Sequence, residues 1–494
     1  MITRRTALRA GIASASVLGT AGLLLPAVNA AANEGDTGGG AAEPDLDPAA
    51  IPKFAQRMPL PPVLSPYLVT ATTSYYSMTM KEAAKEILPG RSTTVRTFNG
   101  SFPGPVVKAE TGRRVVVRQT NTLAHPTSVH LHGAHVPPDS DGSPMDLIAA
   151  NGGTKTYTYP NTQPHANLWF HDHAHHLESE NVFRGLTATY LLTDDTERRL
   201  NLPSGTYDVP VQLRDARFAE SGALVYEMHD IFNRNVVLAN GKPWPYFEVA
   251  ARKYRFRIVN AANMRFFELR LADGSEIIQI GSDGGLLPAP HRTASVPVSP
   301  GERADIVIDF SRYPVGSTIE LKNVSTAAPG PVELIGRVLQ FRVTRSAADS
   351  SVVPAVLRTL PALPAVTGQR SIELRMDETG SPNDLAYLDG KVYDMNRIDQ
   401  EIAYGASEIW TVTNANQLAP HNFHMHLVQF RVLERNGRPV TSGPESGLKD
   451  TVSLLPGETV KLQATFTGYR GTYVYHCHIF DHGAMGMMAN MRIS

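Results

Sequence analysis

The chain has 494 residues, which at roughly 150 residues per domain implies about three domains. Lys+Arg number 46 against 47 Asp+Glu, a formal net charge of −1, and that balance excludes the basic excess of a typical nucleic-acid binder. Apolar residues at 42% exclude a wholly disordered chain, and a single cysteine, Cys477, excludes an intramolecular disulfide.

Residues 1–30 have the layout of an export signal. Arg4-Arg5 leads into a mildly apolar run from Ala10 to Leu25, which ends in the small residues Val28-Asn29-Ala30. The string Thr3-Arg4-Arg5-Thr6-Ala7-Leu8 is similar to a twin-arginine signal. Gly11, Gly19 and Gly22 weaken the run and disfavour a permanent span. The expected location is therefore extracellular, periplasmic or in the cell envelope. Residues 31–54, rich in Gly, Pro and acids, read as a flexible linker. No later apolar run is long enough to cross a bilayer, so the mature chain is expected to have no integral span.

From residue 55 onward, short β-rich runs alternate with Pro, Gly and Asn. Arg114–Arg118, Lys253–Val259, Ala304–Asp309, Glu408–Val412 and Gly471–Tyr475 read as half-buried strands. Their number and spacing predict an all-β protein of stacked sandwiches. Seams near Leu202–Gly205 and in the Pro-rich stretch Val353–Pro364 divide it into 55–202, 203–352 and 353–494.

Of 17 histidines, 13 fall in four clusters. His130, His132 and His135 and then His171, His173, His175 and His176 lie in the first third. His421, His424 and His426 and then His476, His478 and His482 lie in the last. Histidines serving cores and surfaces singly would scatter, so this clustering points to metal. Side chains at i and i+2 share a strand face. The pairs 130/132, 171/173, 424/426 and 476/478 thus offer eight imidazoles for a multinuclear site. Cys477 points the other way, and His421 differs in parity from 424 and 426. A second site can form from Cys477, His421, His482 and a fourth ligand, with Met487 favoured over Met485 and Met488. One thiolate, two imidazoles and a thioether suit a blue-copper centre, whereas structural zinc would call for more cysteines.

The strings HLHG from 130, HDH from 171, HNFHMH from 421 and HCHIFDHGAMGM from 476 together resemble the multicopper oxidases. WPYFEVAARKYRFRIVNA (244–261) and IQIGSDGGLLP (278–288) look like the bacterial spore-coat laccase branch, which sits beside the bilirubin oxidases and phenoxazinone synthase. The resemblance implies three cupredoxin-like Greek-key domains and four copper ions. His421, Cys477, His482 and Met487 would bind the type 1 ion. His130 and His424 would bind the type 2 ion, and His132, His171, His173, His426, His476 and His478 the type 3 pair. The middle domain would be a spacer that shapes the substrate face.

The implied activity is one-electron oxidation of phenols or aminophenols at the type 1 copper, through the edge of His482. Electrons would pass from Cys477 to His476 and His478, and O2 would be reduced to water. The partners are then O2 and a small aromatic reductant. A metal-ion oxidase of Cu(I) or Mn(II) is the alternative, and a non-enzymatic copper-binding protein the remote one. Asp141 holds the place of the family's proton-relaying acid. Gly483 replaces a second acid, with Asp481 only a weak substitute. Asn422 stands where proline is usual, which predicts a looser loop there. His135, His175, His176 and Asp172 match no ligand position.

Overall fold

The computed structural model describes residues 43–494 apart from residues 328 and 382. The expected export signal and the start of the linker lie outside the described residues. Residues 43–54 are not a loose tether. Asp45 bridges to Ala219, Arg217 pairs with Asp45 at 2.8 Å, and Ile51 is buried in the core of the 208–346 sandwich. An apolar side chain within reach of that core anchors what composition alone marks as linker.

Among the described residues the strands form six sheets. They pair face to face into three sandwiches, because a strand with one apolar face must bury it against another layer. The first takes strands between Leu68 and Thr193 around Met78, Val117, Leu131 and Leu168. The second takes strands between Asp208 and Ser346 around Phe256, Ile306 and Phe341. The third takes strands between Gly368 and Ile493 around Trp410, Phe423, Leu462 and Tyr475. The stretches joining them are packed down too, Leu202 and Leu357 burying themselves with Ile280 and Leu287. No helix among the described residues is long and apolar enough to cross a membrane.

Six short elements position the site: β1 (Val129–His132), β2 (Ala166–Asp172), α1 (Glu178–Arg184), β3 (His421–Met425), β4 (Gly471–His476) and α2 (Phe480–Ala484). Strands β1 and β2 pair antiparallel in the first sandwich, with His130 opposite His171. Strands β3 and β4 pair antiparallel in the third, with His424 opposite His476. Opposed residues in such a ladder project from one face.

Two strands depart from the expected pattern: Arg303–Asp309 is buried along all but its last residue, and Lys253–Asn260 departs further. Lys253–Asn260 alternates polar and apolar residues, yet nearly all of it is buried. Its polar side, Arg255 and Arg257, lies against the first sandwich. Arg257 pairs with Glu197 at 3.1 Å and Asp208 at 2.7 Å, and both arginines reach His165. Alternation reports which side is charged, and here the charged side meets a matching charged surface rather than water.

Candidate metal centre

The imidazoles of β1, β2 and the residues after them meet those of β3, β4 and their extensions. Three groups, His130/His132/His424, His132/His171/His478 and His173/His426/His476, each bring their ring nitrogens within 4.8 Å of one another. All eight paired histidines are thereby in one cluster. Rings from the two sandwiches stack across the seam, His130 on His426 at 3.7 Å and His132 on His424 at 3.8 Å. Cys477 projects from the opposite side, and with His421 and His482 forms a separate group.

Hydrogen bonds fix which nitrogen faces inward. Nδ1 of His130 donates to the Asp141 carbonyl at 2.6 Å, and Nδ1 of His171 to Asp172 O at 2.8 Å. Those of His424 and His476 donate to Asp450 O and Cys477 O at 2.8 and 2.9 Å. Nδ1 of His426 donates to the Asp141 carboxylate at 2.7 Å, and Nε2 of His132 to Asp450 Oδ1 at 2.8 Å. The opposite nitrogen of each ring is then a bare lone pair. His426 Nε2 faces His476 Nε2 at 3.3 Å, lone pair against lone pair, and the inward nitrogens of His130, His132 and His424 are buried without a partner. A cation seated among these nitrogens would satisfy all of their lone pairs at once. Burial holds all eight rings below the ordinary imidazole range, to about 3 for His171 and about 4 for His476, so they are neutral and ready to ligate.

At the second group, His421 Nε2 donates to Asn416 Oδ1 at 2.9 Å, which turns Nδ1 toward Cys477 Sγ at 3.9 Å. His482 Nδ1 lies 3.0 Å from His421 Nδ1 and 3.7 Å from Sγ. Burial pushes the metal-free thiol up to about 12, so an ionised sulfur there needs a cation beside it. Met487 is buried in the same apolar cluster, and its backbone bonds to Cys477 N and His482 O at 3.0 Å each. The sulfur–nitrogen donor set fits copper.

Asp141 lies where the sequence places it, buried against His130 and His426, and burial pushes its carboxyl up to about 6. Asp172 points away and caps Ser128 N at 2.9 Å and Asn181 Nδ2 at 2.9 Å. Asp481 does not replace the acid missing at Gly483. It pairs with buried Arg234 at 3.1 Å and accepts His229 N at 2.6 Å, and Arg234 overcomes its desolvation to hold it below the usual range. His135 bonds to Leu427 O, and His175 stacks on His176, all outside the clusters.

Asn422 corrects the expectation of a looser loop. It is buried in β3, its Oδ1 accepts His478 N at 2.7 Å, and its Nδ2 donates to Pro300 O at 2.7 Å. The amide replaces the rigidity of proline with two anchors.

Three residues went unrecognised in the sequence: Asn416, which holds His421, and Asp450 and Arg303. Asp450 holds His132 and His424, and Arg303 holds Asp450 through Nη1 at 2.7 Å while its Nε reaches Asn167 O at 2.9 Å. Asp450 carries a faint signal, a carboxylate leading into the buried strand Thr451–Leu454. Arg303 carries none. Glycines admit this contact: a Cβ on Gly301 (φ +83°) would lie 2.6 Å from His478 Nδ1, and one on Gly133 (φ +83°) would lie 2.6 Å from Arg303.

A buried thiol centre joined through one peptide segment to an eight-imidazole cluster defines a polynuclear copper protein. Family models described as multicopper oxidase match residues 79–197 and 365–494. A laccase of Bacillus subtilis is 36% identical over 90% of this chain and 99% of its own. A bilirubin oxidase of Albifimbria verrucaria is 36% identical over 89% of this chain and 81% of its own. The crystal structure of a laccase from Pediococcus acidilactici superposes with a TM-score of 0.82 at 32% identity, covering 90% of this chain and 95% of that one. The chain belongs to the multicopper oxidase family, and its sandwiches are cupredoxin-like.

Proposed function

We propose that the chain is a laccase-like oxidase that couples one-electron oxidation of phenols or aminophenols to reduction of O2 to water. It holds four copper ions. His421, Cys477, His482 and Met487 bind the type 1 ion, and His130 and His424 the type 2 ion. His132, His171 and His478 bind one type 3 ion, and His173, His426 and His476 the other. When bound, copper accepts single electrons at the Cys477 site and supplies four to O2 at the histidine cluster.

The observation that carries this reading is the segment His476-Cys477-His478. Its sulfur lies in one group and both flanking rings lie in the other. An electron arriving at Sγ therefore has a covalent path of a few bonds to either side of the cluster. His482 lines a cavity of about 680 Å3 together with Ile231, Phe232, Met264, Leu418 and Ile479, a largely apolar seat for one aromatic ring. Asp141 supplies protons: Oδ2 is engaged by His426 while Oδ1 has no hydrogen-bond partner, so Oδ1 is free to carry one.

Steady-state O2 uptake by the copper-loaded protein tests the reading, with kcat/KM for 2,6-dimethoxyphenol and o-aminophenol set against that for Cu(I). A ratio favouring the organic donors supports it, a ratio favouring Cu(I) makes the protein a metal-ion oxidase, and no uptake from fully loaded protein overturns both. Export rests on the sequence around Arg4-Arg5 alone. Replacing both by lysine should leave the protein in the cytoplasm, and unchanged location would remove that reading.

A further inference from the structure

The cavity over His482 carries charge that an electron inlet does not require. Its walls include Asp377, Glu378 and Asp384 and, among the described residues, no Lys or Arg. The hydrogen-bond partners of these three carboxylates are neutral. Asp377 accepts from Tyr387 Oη at 2.9 Å and Leu385 N at 3.2 Å. Glu378 accepts from Ala419 N at 2.7 Å and Leu418 N at 3.0 Å. Asp384 accepts from Thr379 N and Gly380 N at 3.0 Å each. The Thr379 hydroxyl holds Asp384 below the usual carboxylate range, and at Glu378 the backbone donors of 417–419 outweigh desolvation to the same effect.

Two cations behind the wall are already used. Arg265 supports Ile231 O and Pro329 O at 3.2 and 3.3 Å but is paired with Asp215 at 3.0 Å, and Arg234 is paired with Asp481. Among the described residues none of the three carboxylates has a salt-bridge partner, and Arg375, which acts on the Tyr387 hydroxyl that donates to Asp377, offsets only part of that one charge. The floor points to a ligand independently. His482 is 2% exposed, its Nδ1 is turned to His421 and Cys477, and its Nε2 has no hydrogen-bond partner among the described residues although the ring lines the cavity.

We propose that this site selects positively charged aromatic donors, ammonium-bearing phenols or anilines, over anionic ones of the same shape. The inference rests on the oxidase reading above. Turnover is otherwise unchanged: each phenolic donor yields one electron through His482 and its hydroxyl proton to water. Four donors are consumed for each O2 that takes up four protons to give two waters.

With about 9 Å between each carboxylate and a bound charge in a water-like medium at ~10 mM salt, each of the three changes its occupancy about 1.8-fold, in opposite directions for cation and anion. The cation-to-anion ratio of kcat/KM should be about 30 in ~10 mM salt and fall below about 5 at ~0.15 M. The experiment compares 2,6-dimethoxyphenols carrying a 4-trimethylammoniomethyl, 4-hydroxymethyl or 4-sulfonatomethyl group on the copper-loaded protein. Leu418→Lys, at a rim residue 78% exposed that makes none of the carboxylate caps through its side chain, should lower the ratio about threefold, as should Glu378→Gln.

Binding of redox-inert benzyltrimethylammonium and 4-methylbenzenesulfonate to the metal-free protein supplies a second readout, with the cation expected to bind tighter. Ratios near one, favouring the anion or insensitive to salt would overturn the proposal. Absence of O2 uptake with every donor, while the ammonium probe still binds selectively, would instead strike the oxidase reading and leave the selectivity standing.

Discussion

Asp450→Asn tests whether the cluster's order depends on one buried charge. Asp450 is enclosed and bonds to three groups at once: Arg303 by both oxygens, His132 Nε2 at 2.8 Å and Thr451 Oγ1 at 2.9 Å. Asparagine keeps a single acceptor oxygen for Arg303 and His132 and turns an NH2 toward donors that cannot accept it. Removing one partner of a buried ion pair costs about 3–5 kcal/mol. Asp283, 3.8 Å from Arg303, retains part of the compensation, so the lower end, about 3 kcal/mol, is expected. His132 must then share that one oxygen with Arg303 or turn to Thr451 Oγ1, 3.0 Å away, and this weaker hold on its inward nitrogen is expected to cost about 10-fold in metal affinity. The assay is the urea midpoint of the metal-free protein together with copper retained per chain against a graded chelator. Both should fall. A variant matching the wild type in both would refute the reasoning, and one less stable but equally copper-retentive would reduce Asp450 to a scaffold residue.

Cys477→Ser should abolish the blue colour and cut O2 uptake by more than about a hundredfold, since no other thiol exists, while the eight histidines still load metal; retained turnover would disprove the electron path. Glu178 in α1 is buried with both carboxyl oxygens unpartnered, and burial pushes it up to about 8 from 4.5. Because its folded value is raised, stability is fully present below pH 4.5 and is lost as pH rises through 8, by up to about 5 kcal/mol. The thermal midpoint of metal-free Glu178→Gln should therefore gain on the wild type between pH 5 and 8.5, and a pH-independent gap would contradict this. Asn422→Ala leaves His478 N and Pro300 O unpaired, expected to cost about 1–3 kcal/mol and to shift the thiolate-to-copper absorption band; unchanged stability and band energy would show that the anchors do not matter.

The clusters and the strand parity that separates eight imidazoles from Cys477 were legible because ligands must lie close on short strands, and the spacing of two is written in the chain. Asp141 was legible only through the family resemblance, whose pattern sets an acid a few residues after H-x-H-G. Asp450 and Arg303 were not, because each acts across tens to hundreds of residues, and Asn416, only five residues from His421, was not because nothing local distinguishes a supporting amide or carboxylate from a solvated one. Lys253–Asn260 was misread in its burial for a related reason: Arg255 and Arg257 look solvent-facing until Glu197 and His165 of the first sandwich are set against them.

The second sandwich is more than a spacer, although among the described residues none of its side chains joins the histidine and thiol groups. Arg303 reaches Asn167 O in the first sandwich and Asp450 in the third, Gly301 lets His478 close over it, and Pro300 O takes the Asn422 amide. A guanidinium so buried is tolerable only if its carboxylate partner is in place, and that carboxylate is the one aiming His132. Docking of the three sandwiches and orientation of the imidazoles are thus satisfied by the same hydrogen bonds, so the histidines of the first and third sandwiches are held as a single site by the second, docked against both.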